Sequence, residues 1–442
     1  MSVEIDFSKY TKLIDKLHLS RDSGKVIEVK GLLVKGYLPG ASLGSLVEIF
    51  PQDHEQTVLA EVVGFQDKHV LMMALGEMRG VSLGSRIILS RSIATVRASD
   101  ELLGRVIDGL GQPLDQGPEI ENFEERALYK AVTNPLERRP IRQPMDLGIR
   151  AINGLLTVGL GQRVSIMAGS GVGKSVLLGM MARNTKADVN IIAMIGERGR
   201  EVREFIENDL GPEGLSRSVV VCVTSDQSPL LRMRGAFVAT ALAEHFCAQG
   251  KNVLLMMDSV TRFAMAQREI GLSIGEPPSS KGYTPSVFST LPKLLERAGS
   301  YEGQGSITGL YTTLVEADDN NDPVGDAVRS IVDGHIVLSR ALAHKAHYPA
   351  IDILQSSSRV MKAVTPPDQI KWAQTIKELL AVYKDAEDLV NIGAYKPGSN
   401  PKIDKAIKNI DQINEFLRQS VDDPTNYQTT LRMMQQIIVS AS

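Results

Sequence analysis

Residues Ala168 to Ser175 read AGSGVGKS, preceded by the apolar run Val164–Met167 and followed by a helix-like segment from Ser175 to Arg183. A strand, a glycine-rich turn and a helix in that order make a phosphate-binding loop. The residue types suit that use. Gly169, Gly171 and Gly173 carry no Cβ, so the backbone through Ser170 and Val172 can turn its N–H groups inward. Those groups, and the positive end of the helix-like segment that follows with Ser175 and Val176 in its first turn, then face an anion. Lys174 reaches the β- and γ-phosphates as a point charge, and the Ser175 hydroxyl ligates Mg²⁺. The usual pattern G-x-x-x-x-G-K-[ST] opens with glycine where this chain has Ala168, which is small enough for a tight turn that does not need positive φ. The alternative is a glycine-rich turn without a ligand, and the flanking strand and helix weigh against it. The chain is expected to bind a nucleotide, ATP with Mg²⁺.

At 442 residues the chain has length for about three domains and a large core. Its 49 Lys and Arg against 52 Asp and Glu leave a net charge of −3, which argues against a protein that coats nucleic acid. The two cysteines, Cys222 and Cys247, both sit in apolar surroundings and are expected to be reduced core residues. No apolar run approaches the ~20 residues of a membrane span, and the N-terminus lacks the apolar stretch of a signal peptide. The expectation is a soluble, cytoplasmic protein.

Residues 1–20 place Phe7, Tyr10, Leu13, Ile14 and Leu17 at helical spacing, an amphipathic helix that either docks on its own domain or serves a partner or membrane. Residues 21–99 hold six short apolar runs (VIEV, GLLVKGY, SLVEIF, TVLAEVVGF, HVLMMAL, SRIILS) between turns, the texture of a small β-barrel or sandwich. Residues 100–147 are rich in Gly and Pro and read as a linker. Residues 148–365 alternate strand-like runs (163–168, 190–195, 218–223, 252–257, 306–314) with helical patterns such as 230–249, which predicts a mostly parallel sheet covered on both faces. Residues 366–442 are helical: 369–391, 402–417 and 427–439.

Two carboxylates stand where phosphate chemistry needs them. The run NVLLMMD ends in Asp258, the expected Mg²⁺-organising aspartate at the carboxyl end of a strand. The run NIIAMI leads into GERGRE, which puts Glu197 at a strand end, either facing the γ-phosphate or, with Glu201, capping the next helix. Spacing alone leaves both open. An arginine from a neighbouring subunit would also assist, though spacing cannot single it out. His344 and His347 form H-x-x-H without a second ligand pair, so a metal site is not expected there. The acidic run 316–322 lacks EF-hand spacing and reads as a solvated or partner-facing loop.

AGSGVGKS, IGERGREV, MDSVTRFAMAQREIG, GEPPSSKGYTPSVFSTLPKLLERAG, VEADDNNDPVGDAVRSIVDGHIVLSR and YPAIDILQSSSR together resemble the F-type/V-type rotary ATPase family. Pro349–Ser358 fits that family's signature P-[SAP]-[LIV]-[DNH]-x-x-x-S-x-S. Within the family the wording is most similar to the type III protein-export ATPases, the flagellar ones above all, helped by DLVNIGAYKPGSNPKIDKAI near the C-terminus. The resemblance implies an α/β fold with an N-terminal small β-barrel, a central RecA-like P-loop domain and a C-terminal helical domain. It implies a homohexamer with nucleotide at subunit interfaces. Glu197 resembles the catalytic glutamate, with Arg198 beside it; Arg359 resembles the arginine finger given to a neighbour; Tyr348 resembles the aromatic residue that stacks on adenine. The loops 275–285 and 318–323 resemble those lining a central pore. Implied partners are a stator-like regulatory protein at the N-terminal helix, a central coiled-coil stalk, export-gate membrane proteins, and export substrates with their chaperones, on the cytoplasmic side of the inner membrane.

The expected function is therefore Mg²⁺-ATP hydrolysis driving flagellar type III export. The injectisome secretion ATPase is the alternative, and the catalytic subunit of an ion-translocating rotary ATPase stands further off, since no torque-contact motif is found in the C-terminal helices. A hexameric RNA translocase would need a basic, aromatic-bearing surface that residues 24–99 do not concentrate.

Overall fold

The computed structural model describes residues 22–52, 56–130, 134–315 and 322–441. The N-terminal segment 1–20, and all of the acidic run 316–322 but its last residue, fall outside these. Two compact units divide the chain: one extends to Ala94 and takes in Ser273–Gly275, and the other spans Thr95–Leu272 and the residues from Glu276 onward.

In the first unit β1 (Ser23–Lys30), β2 (Leu33–Tyr37), β3 (Leu46–Phe50), β4 (Val58–Gln66), β5 (His69–Ala74) and β6 (Arg86–Arg91) close into a barrel in the order β1-β2-β5-β4-β3-β6. The six strands are the six apolar runs of the sequence. Two-residue turns, Gly31-Leu32 and Asp67-Lys68, join β1 to β2 and β4 to β5, and each opens on a positive φ (57° and 56°), as the right-handed twist of a hairpin requires. Alternate residues point inward, so Val34, Val47, Ile49, Ala60, Val62, Met72 and Ile87 form one core.

The second unit is built on a larger sheet. Residues 100–147 carry no periodicity, yet β7 (Thr95–Ala98) pairs with β9 (Glu124–Ala127), and β8 (Val106–Ile107) joins the edge of the main sheet. Then follow β10 (Arg163–Ala168), β11 (Val189–Glu197), β12 (Ser218–Thr224), β13 (Asn252–Asp258), β14 (Gly299–Ser300), β15 (Ser306–Leu314), β16 (Gly334–Leu338) and β17 (Ile351–Ser358). The order is β17-β16-β10-β15-β13-β11-β12-β8, with β14 off the path on β15. All neighbours are parallel except β17 on β16 and β14 on β15. Helices cover both faces, which is why β11 is buried along its whole length.

The C-terminal helices Pro367–Asn391, Pro401–Leu417 and Tyr427–Ala441 share one core with the short helix Arg150–Leu155 ahead of β10, Phe416 and Met434 lying in the same cluster as Ile152 and Leu155. Gly154 makes the approach close: a Cβ there would stand 2.8 Å from Met434 Sδ and 3.1 Å from Phe416 Cζ. Proline opens the first two of these helices, where its missing N–H costs nothing. Among the described residues no helix is long and apolar enough to cross a membrane.

Cys222 and Cys247 are both free and buried. Burial pushes each thiol up to about 11, helped at Cys222 by the Asp226 charge and at Cys247 by that of Glu244. The thiolate is the nucleophile, so at pH 8 each native cysteine presents only about a thousandth of its population in reactive form. Iodoacetamide labelling followed by mass spectrometry is expected to leave both unmodified at pH 8 and to modify both once the chain is unfolded in guanidinium. Fast native labelling would contradict the buried placement.

Candidate functional site

β10 delivers the chain to the phosphate-binding loop, and the helix Lys174–Asn184 carries it away. Ala168 is the last residue of β10, buried and paired with Leu314 and Leu338, and its φ is negative, so alanine fits there without strain. Gly171 and Gly173 do need glycine, with φ of 75° and 84°. A Cβ at Gly171 would meet no atom within 4 Å, so the dihedral alone makes the demand; at Gly173 it would stand 3.5 Å from Cδ1 and Cε1 of Tyr348. Val172 plugs the loop into the core. Gly173 caps the helix without a side-chain hydrogen bond, which leaves the first N–H groups of that helix for an anion. Ser175 and Val176 lie exposed on the first turn.

Lys174 turns back over the carboxyl ends of the strands. Its Nζ lies 2.5 Å from Asp258 Oδ1 and 3.7 Å from Glu197 Oε1. The acids come from β13 and β11, neighbours in the sheet, and β15 separates β13 from the lysine's own strand. Asp258 is 4% exposed and Glu197 8%. One ammonium between two buried carboxylates leaves a net negative charge. Burial first, then the Asp258 charge, pushes the Glu197 carboxyl up to about 7, against the opposing pull of Lys174. Glu197 Oε1 is a buried acceptor without a hydrogen bond. The helix-capping alternative for Glu197 does not hold: Arg198 occupies the cap of the following helix, which has no side-chain cap bond.

The other expected residues divide. The Tyr348 ring lies beside the loop at Gly173, 46% exposed. The Arg198 side chain is 77% exposed and reaches Glu201 at 3.4 Å, not Lys174. Arg359 is far from its own loop. Its N–H donates to Asp333 C=O, and the preceding Ser358 pairs with Gly334 at the start of β16. That level matches Val164 on β10, four residues before Ala168, or about 13 Å along the strand. The guanidinium is exposed there. His344 is exposed while His347 is buried, and no metal-holding cluster occurs among the described residues.

Two residues of the site escaped the sequence. Thr312 on β15 donates from Oγ1 to Asp258 Oδ1 at 2.7 Å, fixing the aspartate from the strand in between. Its one signal is the adjacent polar pair Thr312-Thr313 near the end of a buried strand that reads SITGLYTTL. Arg262, one turn after Asp258, runs along Gly196, where a Cβ would stand 2.9 Å from its own; its Nε is buried without a hydrogen bond. The φ of 72° at Gly196 and this contact together reserve the place before Glu197 for glycine. The donors and cradle fit a magnesium-bound nucleoside triphosphate: open N–H groups, a lysine, a hydroxyl and two carboxylates, one of which keeps a buried oxygen without a hydrogen bond.

Comparison with known proteins agrees with this geometry. The model of the ATP synthase alpha/beta family nucleotide-binding domain matches residues 148–358, that family's beta-barrel domain matches 19–90, and the T3SS EscN ATPase C-terminal domain matches 365–436. The flagellum-specific ATP synthase of Bacillus subtilis is 50% identical over 94% of this chain and 96% of its own length. The type 3 secretion system ATPase of Xanthomonas euvesicatoria is 49% identical over 95% of this chain and 94% of its own. The assembled ATPase EscN of enteropathogenic E. coli, solved in complex with its central stalk EscO, superposes with a TM-score of 0.87 at 46% identity, covering 94% of this chain and all of that one. With a closed barrel ahead of a P-loop sheet, and a helical C-terminal region of the secretion-ATPase kind, the chain belongs to the ATP synthase alpha/beta family.

Proposed function

We propose that this chain is a Mg²⁺-ATP hydrolase that energises protein export through a type III apparatus, flagellar in the first reading, and that it works as a ring of six on the cytoplasmic side of the inner membrane. The observation that carries the reading is the pair formed by a P-loop lysine set between two buried carboxylates and an exposed arginine at the far end of the same sheet.

The residues divide the work as follows. The loop N–H groups from Gly169 to Val176 and the Lys174 ammonium bind the phosphates. Ser175 and Asp258, the latter held by Thr312, would hold Mg²⁺, which when bound neutralises charge on the phosphate oxygens. Glu197, buried and close to neutral pH in its titration, accepts a proton from water as the water oxygen bonds to the γ-phosphorus and the bond to the departing diphosphate oxygen breaks. The Arg262 stem packs against Gly196 and so fixes the backbone just before Glu197. Tyr348 stacks on the base, while the exposed Arg198 supports the neighbouring acid Glu201. Arg359 cannot reach its own loop and completes the site of the next subunit, where it offsets the charge that develops in transfer. A head-to-tail contact of that kind closes into a ring.

The injectisome role is the second reading, since a 49% identical secretion ATPase stands beside a 50% identical flagellar one. The secretion-type C-terminal domain supports either over an ion-translocating subunit. A central stalk protein is the proposed ring partner, as in the EscN–EscO complex. Residues 1–20 are proposed to meet a stator-like regulator, and export-gate proteins, chaperones and substrates follow from the same role.

Glu197→Gln is expected to bind ATP as the parent does and to lose turnover by about a hundred- to ten-thousandfold, read by a coupled ATPase assay beside calorimetric binding. Normal hydrolysis would remove Glu197 from the mechanism. Arg359→Ala should fold normally and lose about a thousandfold or more of its ring-dependent rate. Mixing it with Glu197→Gln should restore part of the rate, because some interfaces then pair an intact Glu197 with an intact Arg359; no recovery would rule out the shared site. Specific activity that climbs with protein concentration as light scattering reports assembly would support the ring, whereas a constant value from a monomer would count against it.

A further inference from the structure

Tyr348 stands in the short loop between the helix Arg340–His344 and β17, on a chain segment with little regular structure to hold it. Its carbonyl accepts a hydrogen bond from the Gln419 N–H at 2.9 Å, across 71 residues of sequence. Gln419 follows the helix Pro401–Leu417 and is 5% exposed, unusual for an uncharged polar side chain in a turn. Burial is possible because every polar atom of its amide is used. Nε2 donates to Gly148 C=O and to Asp423 C=O, both at 2.7 Å, and Oε1 accepts from Arg150 N–H at 2.8 Å. Gly148 in turn packs against the end of the P-loop helix, where its Cβ would meet that of Asn184 at 2.2 Å. The amide therefore ties the C-terminal turn to the segment that borders the P-loop helix, and the main chain of the same residue holds Tyr348.

We propose that Gln419 is a positioning residue for the base end of the nucleotide site, keeping the Tyr348 ring at Gly173 of the P-loop. The inference rests on the reading of Tyr348 as the base-stacking residue. Gln419 touches no phosphate-binding group, so its influence is confined to the part of the ligand that Tyr348 meets. With the amide removed, Gly148 and Asp423 lose their donor, the turn relaxes, and the carbonyl of Tyr348 loses a fixed partner.

The test compares Mg²⁺-ATP with Mg²⁺-tripolyphosphate, which carries the same charged end and no base, by titration calorimetry on the full chain. Tyr348→Ala should weaken ATP by about tenfold or more and leave tripolyphosphate unchanged. Gln419→Ala should do the same to a lesser degree, and adding it to Tyr348→Ala should weaken ATP no further. Gln419→Glu keeps the acceptor for Arg150 and removes both donors, so it is measured beside Gln419→Ala in case the alanine variant does not fold; the same selective loss is expected. Equal weakening of both ligands, additive effects in the double variant, or no effect at all would overturn the positioning role. If Tyr348→Ala is selective and neither Gln419 variant is, only the inference on Gln419 fails. If Tyr348→Ala is itself not selective, the base-stacking assignment fails and the proposal on Gln419 falls with it.

Discussion

One ammonium held between two buried carboxylates is the constraint on which this site depends. Lys174, Asp258 and Glu197 come from three separate stretches of chain, and only the strand order β10-β15-β13-β11 brings them within ion-pair range. Adjacent strands are about 4.8 Å apart, so the lysine must span two strand widths to reach Asp258, which its long stem can do. Such a cluster is costly to bury, and removing one partner leaves an uncompensated charge worth about 3–5 kcal/mol. The protein meets the imbalance in two ways. Thr312 donates to Asp258 from the intervening strand, and Glu197 is held where a proton is easily taken up. An acid that binds a proton near neutral pH suits the removal of one from water.

The same sheet sets Arg359 apart from the P-loop of its own chain. β16 runs parallel to β10 and ends beside the P-loop, but β17 turns back antiparallel, so its last residues finish at the opposite end of the sheet. Arg359 inherits that place. Gln162, just ahead of β10, donates to Ser358 Oγ at 3.2 Å and pins the end of β17 there. No rotamer of an arginine spans the length of a strand. The separation of cation and P-loop is a property of topology, and the shared site proposed above rests on it.

Much of this was legible in the sequence, and the parts that were not share a cause. β10 and β15 are legible to the residue, because the P-loop fixes the end of β10 and β15 runs from the Gly303–Gly305 turn to the acidic run that starts at Glu316. The long C-terminal helices were read to within about two residues at each end, since proline and asparagine mark their starts. Glu197 stands at its strand end as the sequence suggests, but only the structure shows that Arg198, not Glu197, occupies the cap of the next helix and that the Glu197 carboxylate is buried beside Lys174. β8 was missed inside a stretch rich in turn residues, because its strand character comes from Val220 and Val221 of β12 and not from its own two residues. Thr312 and Gln419 were missed for the same reason: a buried polar residue is explained by its partners, and these partners lie 54 and up to 271 residues away.

Arg150 shows how far such partners can reach. It opens a short helix ahead of β10, yet its guanidinium donates from Nε to Phe416 C=O at 3.0 Å, from one terminal nitrogen to Asp423 at 2.8 Å, and from the other to Arg418 C=O. Phe416 C=O is one of the carbonyls left without an intrahelical partner where the helix Pro401–Leu417 ends, Arg418 C=O belongs to the residue that caps it, and that end carries partial negative charge. A cation there supplies the missing donors and complements the dipole at once. Its backbone N–H goes to Gln419, so one residue holds both the end of that helix and the turn after it. Asp423 is half exposed and contributes least, since water competes for it; the two carbonyl bonds are shielded. Sliding the helix away would strip a largely buried guanidinium of most of its acceptors, which is why the C-terminal helices and the P-loop region are better regarded as one mechanical body joined at Arg150 than as two domains in contact.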